Sequence, residues 1–338
     1  MAMDSPTKRR LTAEEISAVA RAAFGSSARV LESRELTEGT FNASYALRLE
    51  GVPPLVLKVA PPPGAPLLRY ERDLMRTELE FYERVERAGG GPVPRVLASG
   101  LDRKVIESEW FAMALLNGVP LYGSRVPRDD RRRIRARLGE VAGAFSKIRG
   151  ERFGYPRGGA GGGATWREAF LRMVGDLLDD ADQYGTRLPR RTDELRRLFE
   201  RTGPSLDVVR EPSLVHFDLW DGNVFVIRGP SGAWELEALI DGERAFWGDP
   251  LAELPSASLL GDIEREPDFL AGYARALGAP LSFTPEVRLR IALYRAYLYL
   301  IMLVEAGPRA YSGMRWLGIR TLVELRLRGT LRQIDELG

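Results

Sequence analysis

Apolar and polar positions change their period several times along this chain of 338 residues. Residues 11–24 repeat at helical spacing, with Thr12 as N-cap and Glu15 at the capping-box position. Residues 29–36, 41–49 and 55–60 then read as strands, separated by Thr37-Glu38-Gly39-Thr40 and Glu50-Gly51-Val52-Pro53-Pro54. Gaps this short imply antiparallel hairpins. Pro61-Pro62-Pro63-Gly64-Ala65-Pro66 is a loop that no regular element crosses. Residues 68–88 read as a helix with Leu74, Phe81 and Val85 on one face, stopped by Gly89-Gly90-Gly91-Pro92. Strands are expected at 104–108 and 110–115, with Asn117-Gly118 breaking the second.

From Arg128 onward helical spacing dominates, at 129–148, 165–184, 191–202, 264–277, 285–306 and 312–333. The one β interruption is a hairpin of 224–228 and 234–240 across Gly229-Pro230-Ser231-Gly232. The order predicts an α+β chain in three parts. A disordered tail covers 1–10, a small antiparallel β-rich lobe with one helix covers 11–116, and a larger, mostly helical lobe covers 117–338.

Composition narrows the chemistry. The formal net charge of +2 is close to balance, which points to neither a nucleic-acid nor a membrane partner. The run Arg131-Arg132-Arg133-Ile134-Arg135-Ala136-Arg137 follows Asp129 and Asp130 and reads as a solvated helix face. With no cysteine, disulfides, thiolate metal sites and cysteine nucleophiles are excluded. With one histidine, a zinc site of two or three histidines is excluded within one chain. The first ten residues lack an apolar core of the secretory kind, and the apolar stretch 296–304 is too short to span a bilayer. A cytoplasmic location is expected. The glycine-rich run 158–164 lacks the Lys-Ser/Thr of a phosphate-binding P-loop. It reads as a flexible loop leading into a helix that starts at Thr165.

The single histidine sits in the segment richest in chemistry: His216-Phe217-Asp218-Leu219-Trp220-Asp221-Gly222-Asn223, with Asp241 at the end of the next apolar run. A carboxylate base, an amide oxygen and a second carboxylate are what phosphoryl transfer from a metal–nucleotide needs. Asn223 and Asp241 are oxygen ligands of the kind Mg²⁺ takes. The expected hairpin lies between them and brings its two strand ends together. His216 reads as a hydrogen-bonded buttress of the loop rather than a proton carrier, because Asp218 is the better-placed group.

Three blocks, His216 to Asn223, Leu239-Ile240-Asp241-Gly242-Glu243, and Gly248-Asp249-Pro250-Leu251-Ala252-Glu253-Leu254, resemble the aminoglycoside phosphotransferase/choline kinase-like family. Its members are small-molecule kinases with a protein-kinase-like, two-lobe fold. The resemblance implies Asp218 as base and Asn223 and Asp241 as Mg²⁺ ligands. It implies Lys58 on the strand Val56-Leu57-Lys58-Val59-Ala60 as the residue contacting the nucleotide phosphates, set by Glu78 on the following helix, with Glu80 in reserve. The turn Glu38-Gly39-Thr40-Phe41-Asn42-Ala43-Ser44 takes the place over the phosphates, where backbone N–H groups and the Ser44 hydroxyl could bind. The stretch 111–120 resembles the family's hinge, so that the backbone of Ala114 and Leu116 would meet the purine, with Met113 packing behind it. Asp249 is implied to fix the catalytic loop. Two departures stand out: Gly242 where a bulky residue is common, implying a more mobile metal loop, and Glu253 in place of a frequent Asp.

The expectation is an O-phosphotransferase using ATP (or GTP) and Mg²⁺ to phosphorylate a hydroxyl of a small molecule, namely an antibiotic, amino sugar, sugar or amino alcohol. A nucleotide-binding pseudokinase with a regulatory or interaction role is the alternative. A protein kinase is disfavoured, because no Ala-Pro-Glu segment stands between Asp241 and Pro250. Basic and acidic side chains are about equal from Pro250 to the end, which gives no sign of a pocket for a polycation. Phe283, Tyr294, Tyr297, Tyr299 and Trp316 suggest an acceptor with apolar or sugar-like faces.

Overall fold

The computed structural model describes residues 7–37, 39, 41–156 and 162–338. The start of the expected tail, Glu38 and Thr40 of the expected turn and most of the glycine-rich run lie outside the described residues. The chain forms two compact units. The first comprises Met1–Leu67, Pro94–Asn117 and Pro308–Tyr311; the second comprises Leu68–Val93, Gly118–Gly307 and Ser312–Gly338.

The first unit opens with α1 (Ala13–Phe24). Its capping box forms as the sequence predicts: the Glu15 N–H donates to Thr12 Oγ1 at 3.2 Å and the Thr12 N–H to the Glu15 carboxylate at 2.9 Å. Then come β1 (Val30–Leu36), β2 (Ala43–Leu49) and β3 (Val52–Val59). The chain leaves for the second unit as α2 (Leu74–Arg87) and returns as β4 (Val96–Gly100) and β5 (Trp110–Ala114). These strands make one antiparallel sheet, ordered β1-β2-β3-β5-β4. Ala43, Tyr45, Leu47 and Leu49 alternate into a core shared with Ile16, Val19 and Ala20 of α1.

The strand expected at 104–108 is absent, and Val96–Gly100 takes the edge instead. The edge strand is only partly covered on either face, so its sequence carries no alternation to read. Residues 101–108 instead turn tightly, with Arg103 at φ +57° and the Lys104 N–H donating to the Asp102 carboxylate at 3.2 Å.

The second unit contains α2 and β6 (Val119–Pro120), α3 (Arg128–Phe145), α4 (Trp166–Gln183) and α5 (Thr192–Thr202). It continues with β7 (Ser213–Val215), β8 (Val224–Arg228), β9 (Trp234–Leu239) and β10 (Phe246–Gly248). The short α6 (Glu253–Ala257), α7 (Pro267–Leu277), α8 (Pro285–Val304), α9 (Ala306–Arg309) and α10 (Gly313–Leu337) complete it, the end of α9 lying in the first unit. The expected β8–β9 hairpin is present and β6 extends it. A second small pair, β7 with β10, was not expected, because its residues are buried on both faces and show no period.

Chain order puts residues 68–93 with the first lobe, yet they pack in the second unit. The expected helix at 68–88 starts as a tight 3₁₀ turn over Arg69–Asp73. Asp180 of α4 holds that turn, accepting from the Arg69 backbone N–H at 2.7 Å and from its guanidinium at 2.6 Å. Thr165 caps α4, its hydroxyl accepting from the Glu168 N–H at 3.3 Å.

The arginine run lies on α3, but Arg135 is not solvated. It is buried against the Phe269 ring and donates to the Ala257 carbonyl at 2.7 Å and to Glu266 at 3.0 Å. Tyr294, Tyr297 and Tyr299 of α8 are fully buried core residues, which removes the suggestion that they face an acceptor. Among the described residues no helix is long and apolar enough to cross a membrane.

Helices α3 and α7 touch backbone to backbone. A Cβ added at Gly272 would lie 1.8 Å from the Ala136 carbonyl oxygen, and one at Gly139 would lie 2.0 Å from that of Phe269. Glycine in a helix ordinarily costs roughly 1 kcal/mol relative to alanine. At Gly272 the sign reverses: Gly272→Ala is expected to destabilise by about 1–3 kcal/mol, by overpacking. Gly329→Ala on α10, with nothing within 4 Å of the added Cβ, is expected to stabilise by up to about 1 kcal/mol. Urea unfolding of the two variants checks this pair of opposite signs.

Candidate active site

The segment between β7 and β8 turns on Phe217, which holds φ +62°. A left-handed bulky residue is strained and persists only where its surroundings determine it. Its ring is locked against Phe246 at 5.0 Å and Tyr297 at 5.8 Å. Its backbone is locked by Glu253 of α6, whose buried carboxylate accepts from the His216 N–H at 2.7 Å and the Phe217 N–H at 3.0 Å. Ser256 extends the same cradle, its Oγ accepting from the Leu219 N–H at 3.1 Å.

The loop-fixing part implied for Asp249 is therefore taken by Glu253. Asp249 instead caps the turn Pro250–Ala252, accepting from the Leu251 N–H at 3.0 Å, and pairs with Arg290 at 2.6 Å and the Tyr294 hydroxyl at 2.7 Å. The Glu253 side chain, rooted at the start of α6, reaches two backbone N–H groups of the loop. Burial pushes the Glu253 carboxyl up to about 7, while those two N–H groups oppose the shift.

His216 is buried and both ring nitrogens are engaged. Nε2 lies 3.1 Å from the Ile240 carbonyl oxygen, and the Asp218 N–H donates to Nδ1 at 3.2 Å. This pair of partners selects the Nε2–H tautomer. Phe81 of α2 meets the ring edge-on at 5.0 Å. Burial pushes the His216 pKa down to about 4, so the imidazole is neutral at pH 7.

Asn223 and Asp241 are brought together by the hairpin. Val224 pairs with Leu239, and beyond that pair the Ile240 N–H donates to the Asn223 carbonyl at 3.0 Å. Asp241 adopts φ +59° and opens the 3₁₀ turn Gly242–Arg244. Gly242 serves close packing rather than mobility: a Cβ there would meet the Phe81 ring at 2.5 Å.

The Asn223 amide nitrogen donates to both the backbone oxygen and Oδ2 of Asp218, each at 3.0 Å. On its other carboxylate oxygen Asp218 faces the Arg244 guanidinium at 3.5 Å. Burial pushes the Asp218 carboxyl up to about 6, with the charges of Asp241 and Glu305 adding to the rise and Arg244 and Asn223 opposing it. Arg244 is held in turn by Glu305 at the end of α8, 2.6 Å away, and Glu305 also accepts from the Tyr70 hydroxyl.

Sequence reading missed Arg244, Glu305 and Tyr70. Arg244 lay within reach of a spacing argument, since it shares a single helical turn with Asp241. Nothing local marks Glu305 or Tyr70, which reach the site through tertiary packing.

The remaining expected residues lie apart from this cluster in the chain. Lys58 is buried on β3, with Ser44 opposite it on β2 and Phe111 opposite it on β5, the ammonium 5.8 Å from the Phe111 ring centre. At the end of β5 the Ala114 N–H is used by the Arg95 carbonyl at 2.9 Å, and Leu116 is partly exposed. Those residues belong to the first unit. Glu78 belongs to the second, fully buried on α2, where it accepts from the Tyr82 hydroxyl at 2.7 Å. Glu80 is only partly buried and pairs with Arg84 on the same helix.

No curated protein sequence matches the chain. Among solved structures, a protein of Thermobifida fusca proposed to be a fructosamine-3-kinase is 22% identical, with a TM-score of 0.64, over 95% of this chain and 100% of that one. A protein of Ralstonia eutropha proposed to be an aminoglycoside phosphotransferase is 15% identical, with a TM-score of 0.65, over 97% and 99%. The aminoglycoside phosphotransferase APH(4)-Ia, solved with AMP-PNP and hygromycin B, is 18% identical, with a TM-score of 0.61, over 94% and 98%. At these identities the likeness establishes the fold, an antiparallel β-rich part and a helical part of the protein-kinase-like type. The model of the phosphotransferase enzyme family matches residues 32–291. That span contains the whole Asp218–Asn223–Asp241 cluster, and the chain belongs to the phosphotransferase enzyme family, with the fold of its small-molecule kinases.

Proposed function

We propose that the protein transfers the terminal phosphoryl group of ATP (or GTP) to a hydroxyl of a small molecule, with Asp218 accepting the hydroxyl proton. The observation that carries this reading is the setting of one carboxylate. Asp218 is held on one oxygen by Asn223 at 3.0 Å and faced on the other by Arg244 at 3.5 Å, beside Asp241. A carboxyl raised to about 6 is ionised at pH 7 and still basic enough to draw a hydroxyl proton. Neutral His216 fixes the loop through its two hydrogen bonds and carries no proton in the transfer.

The donor set fits Mg²⁺. With its amide nitrogen committed to Asp218, Asn223 offers its carbonyl oxygen, and Asp241 offers a carboxylate from the adjoining strand end. Few protein oxygens, completed by phosphates and water, suit this ion. When bound, Mg²⁺ supplies charge neutralisation to the phosphates. Lys58, Ser44 and Glu78 serve nucleotide binding in this reading, and the backbone of Ala114 and Leu116 meets the purine, through groups other than the committed Ala114 N–H. In this reading the acceptor is a sugar, an amino sugar or an antibiotic such as an aminoglycoside. The support is that structural relatives are described by fructosamine and aminoglycoside phosphorylation. A cytoplasmic enzyme with neither nucleic-acid nor membrane partner completes the proposal.

Two substitutions separate the roles. Asp218→Asn is expected to lower kcat by about 10²–10⁴-fold, the usual worth of a general base, with nucleotide affinity retained. His216→Gln is expected to cost mainly stability, about 1–3 kcal/mol, by disturbing a buried hydrogen-bond pair. Steady-state kinetics, a nucleotide titration and thermal unfolding test both. Asp218→Asn turning over as fast as wild type sinks the mechanism.

The pH profile is a second test. Activity needs ionised Asp218, so kcat/KM is expected to fall as pH drops through about 6. Arg244 lowers the Asp218 pKa, so Arg244→Met is expected to move this acidic limb to higher pH. An unmoved limb in Arg244→Met means another group sets it.

A further inference from the structure

Arg309 lies far in sequence from every nucleotide-binding candidate, yet it packs against one of their supports. The chain leaves the second unit after Gly307, enters the first over Pro308–Tyr311, and goes back at Ser312. Within that excursion Arg309 is 5% exposed and its guanidinium lies 5.2 Å from the centre of the Phe41 ring, itself 6% exposed. Arg309 also donates to the Tyr311 hydroxyl at 3.3 Å. The buried Thr7 hydroxyl donates to the Phe41 carbonyl oxygen at 3.3 Å. Phe41 is thus clamped by side chain and by backbone, immediately before β2 begins at Ala43.

The clamp matters because β2 carries Ser44 just beyond it. Ala43 pairs with Val59 and Ser44 pairs with Lys58, so the entry of β2 sets Ser44 against Lys58. A one-residue slip would turn Ser44 to the opposite face of the sheet.

We infer that Arg309 is a positioning residue for nucleotide binding, acting through the Phe41 ring to hold the entry of β2 and with it Ser44 opposite Lys58. This rests on the proposed function only for the nucleotide role of Ser44 and Lys58. A desolvated cation–π contact is worth enough to change affinity by roughly 3- to 10-fold.

The test is equilibrium binding of a fluorescent ATP analogue with Mg²⁺ to the full chain, with thermal unfolding alongside. Arg309→Met is expected to weaken binding about 3- to 10-fold, and Arg309→Lys, which keeps a cation over the ring, to restore at least half of the loss on a logarithmic scale. Phe41→Leu is expected to weaken binding similarly, and the double variant Arg309→Met/Phe41→Leu to be no weaker than either single one, since both remove one contact. Should Arg309→Met fail to fold, Phe41→Leu and Arg309→Lys carry the test: loss in the first with near-normal affinity in the second supports the inference. Unchanged affinity in Phe41→Leu overturns it, as does full additivity in the double variant. A fall in unfolding temperature without change in affinity overturns it too, leaving Arg309 a packing residue. Failure of the wild type itself to bind the analogue would instead strike the proposed function.

Discussion

One buried carboxylate holds the segment between β7 and β8 in its shape. Glu253 receives the N–H groups of His216 and Phe217, and without it both donors would be buried and unsatisfied. Each such orphan costs about 1–3 kcal/mol. The same two bonds stabilise the left-handed turn at Phe217, which a bulky residue does not adopt unaided. That turn sends the Phe217 ring into the core and leaves Asp218 next to Asn223, Arg244 and Asp241. The position of the Asp218 carboxylate is therefore decided by a residue that does not touch it.

The charges around Asp218 are balanced rather than merely assembled. Burial, Asp241 and Glu305 favour its neutral form, while Arg244 and the Asn223 amide favour the anion. Arg244 does not act as a free charge, because Glu305 and, through it, Tyr70 hold the guanidinium in place. The result is a carboxylate poised near neutral pH, which is the range where a base works best on a hydroxyl. His216 contributes geometry to this setting. Its neutral ring ties the Asp218 backbone to the end of β9, so that Asp218 and the Asp241 turn share one support.

How much the sequence revealed depends on the range of the interaction involved. The capping box at Thr12 and the helix start at Thr165 are local, and both form. The hairpin that joins Asn223 to Asp241 is local too, and it places them as its length demanded. The edge strand Val96–Gly100 was missed because a strand partly covered on both faces shows no alternation, whereas the turn at 101–108 carried apolar residues that imitated one. Asp249 and Glu253 stand on one short motif, and only tertiary packing decides which of them reaches the loop. Tyr294 and Tyr297 looked like a binding face by type, yet their hydroxyls are satisfied inside the core by Asp249, Trp166 and Tyr155. Glu305 reaches Arg244 from the end of a helix remote in sequence, and no local pattern announces it.

The central claim is that this carboxylate serves direct phosphoryl transfer to a small-molecule hydroxyl. Phosphorus NMR of the protein with MgATP and a panel of ketosamines, hexosamines, aminoglycosides and amino alcohols tests it most directly. A new phosphomonoester resonance appearing with one of these acceptors, in step with ADP formation, is the result expected. Nucleotide binding without any phosphomonoester across the panel would contradict the account and favour a nucleotide-binding protein that performs no transfer.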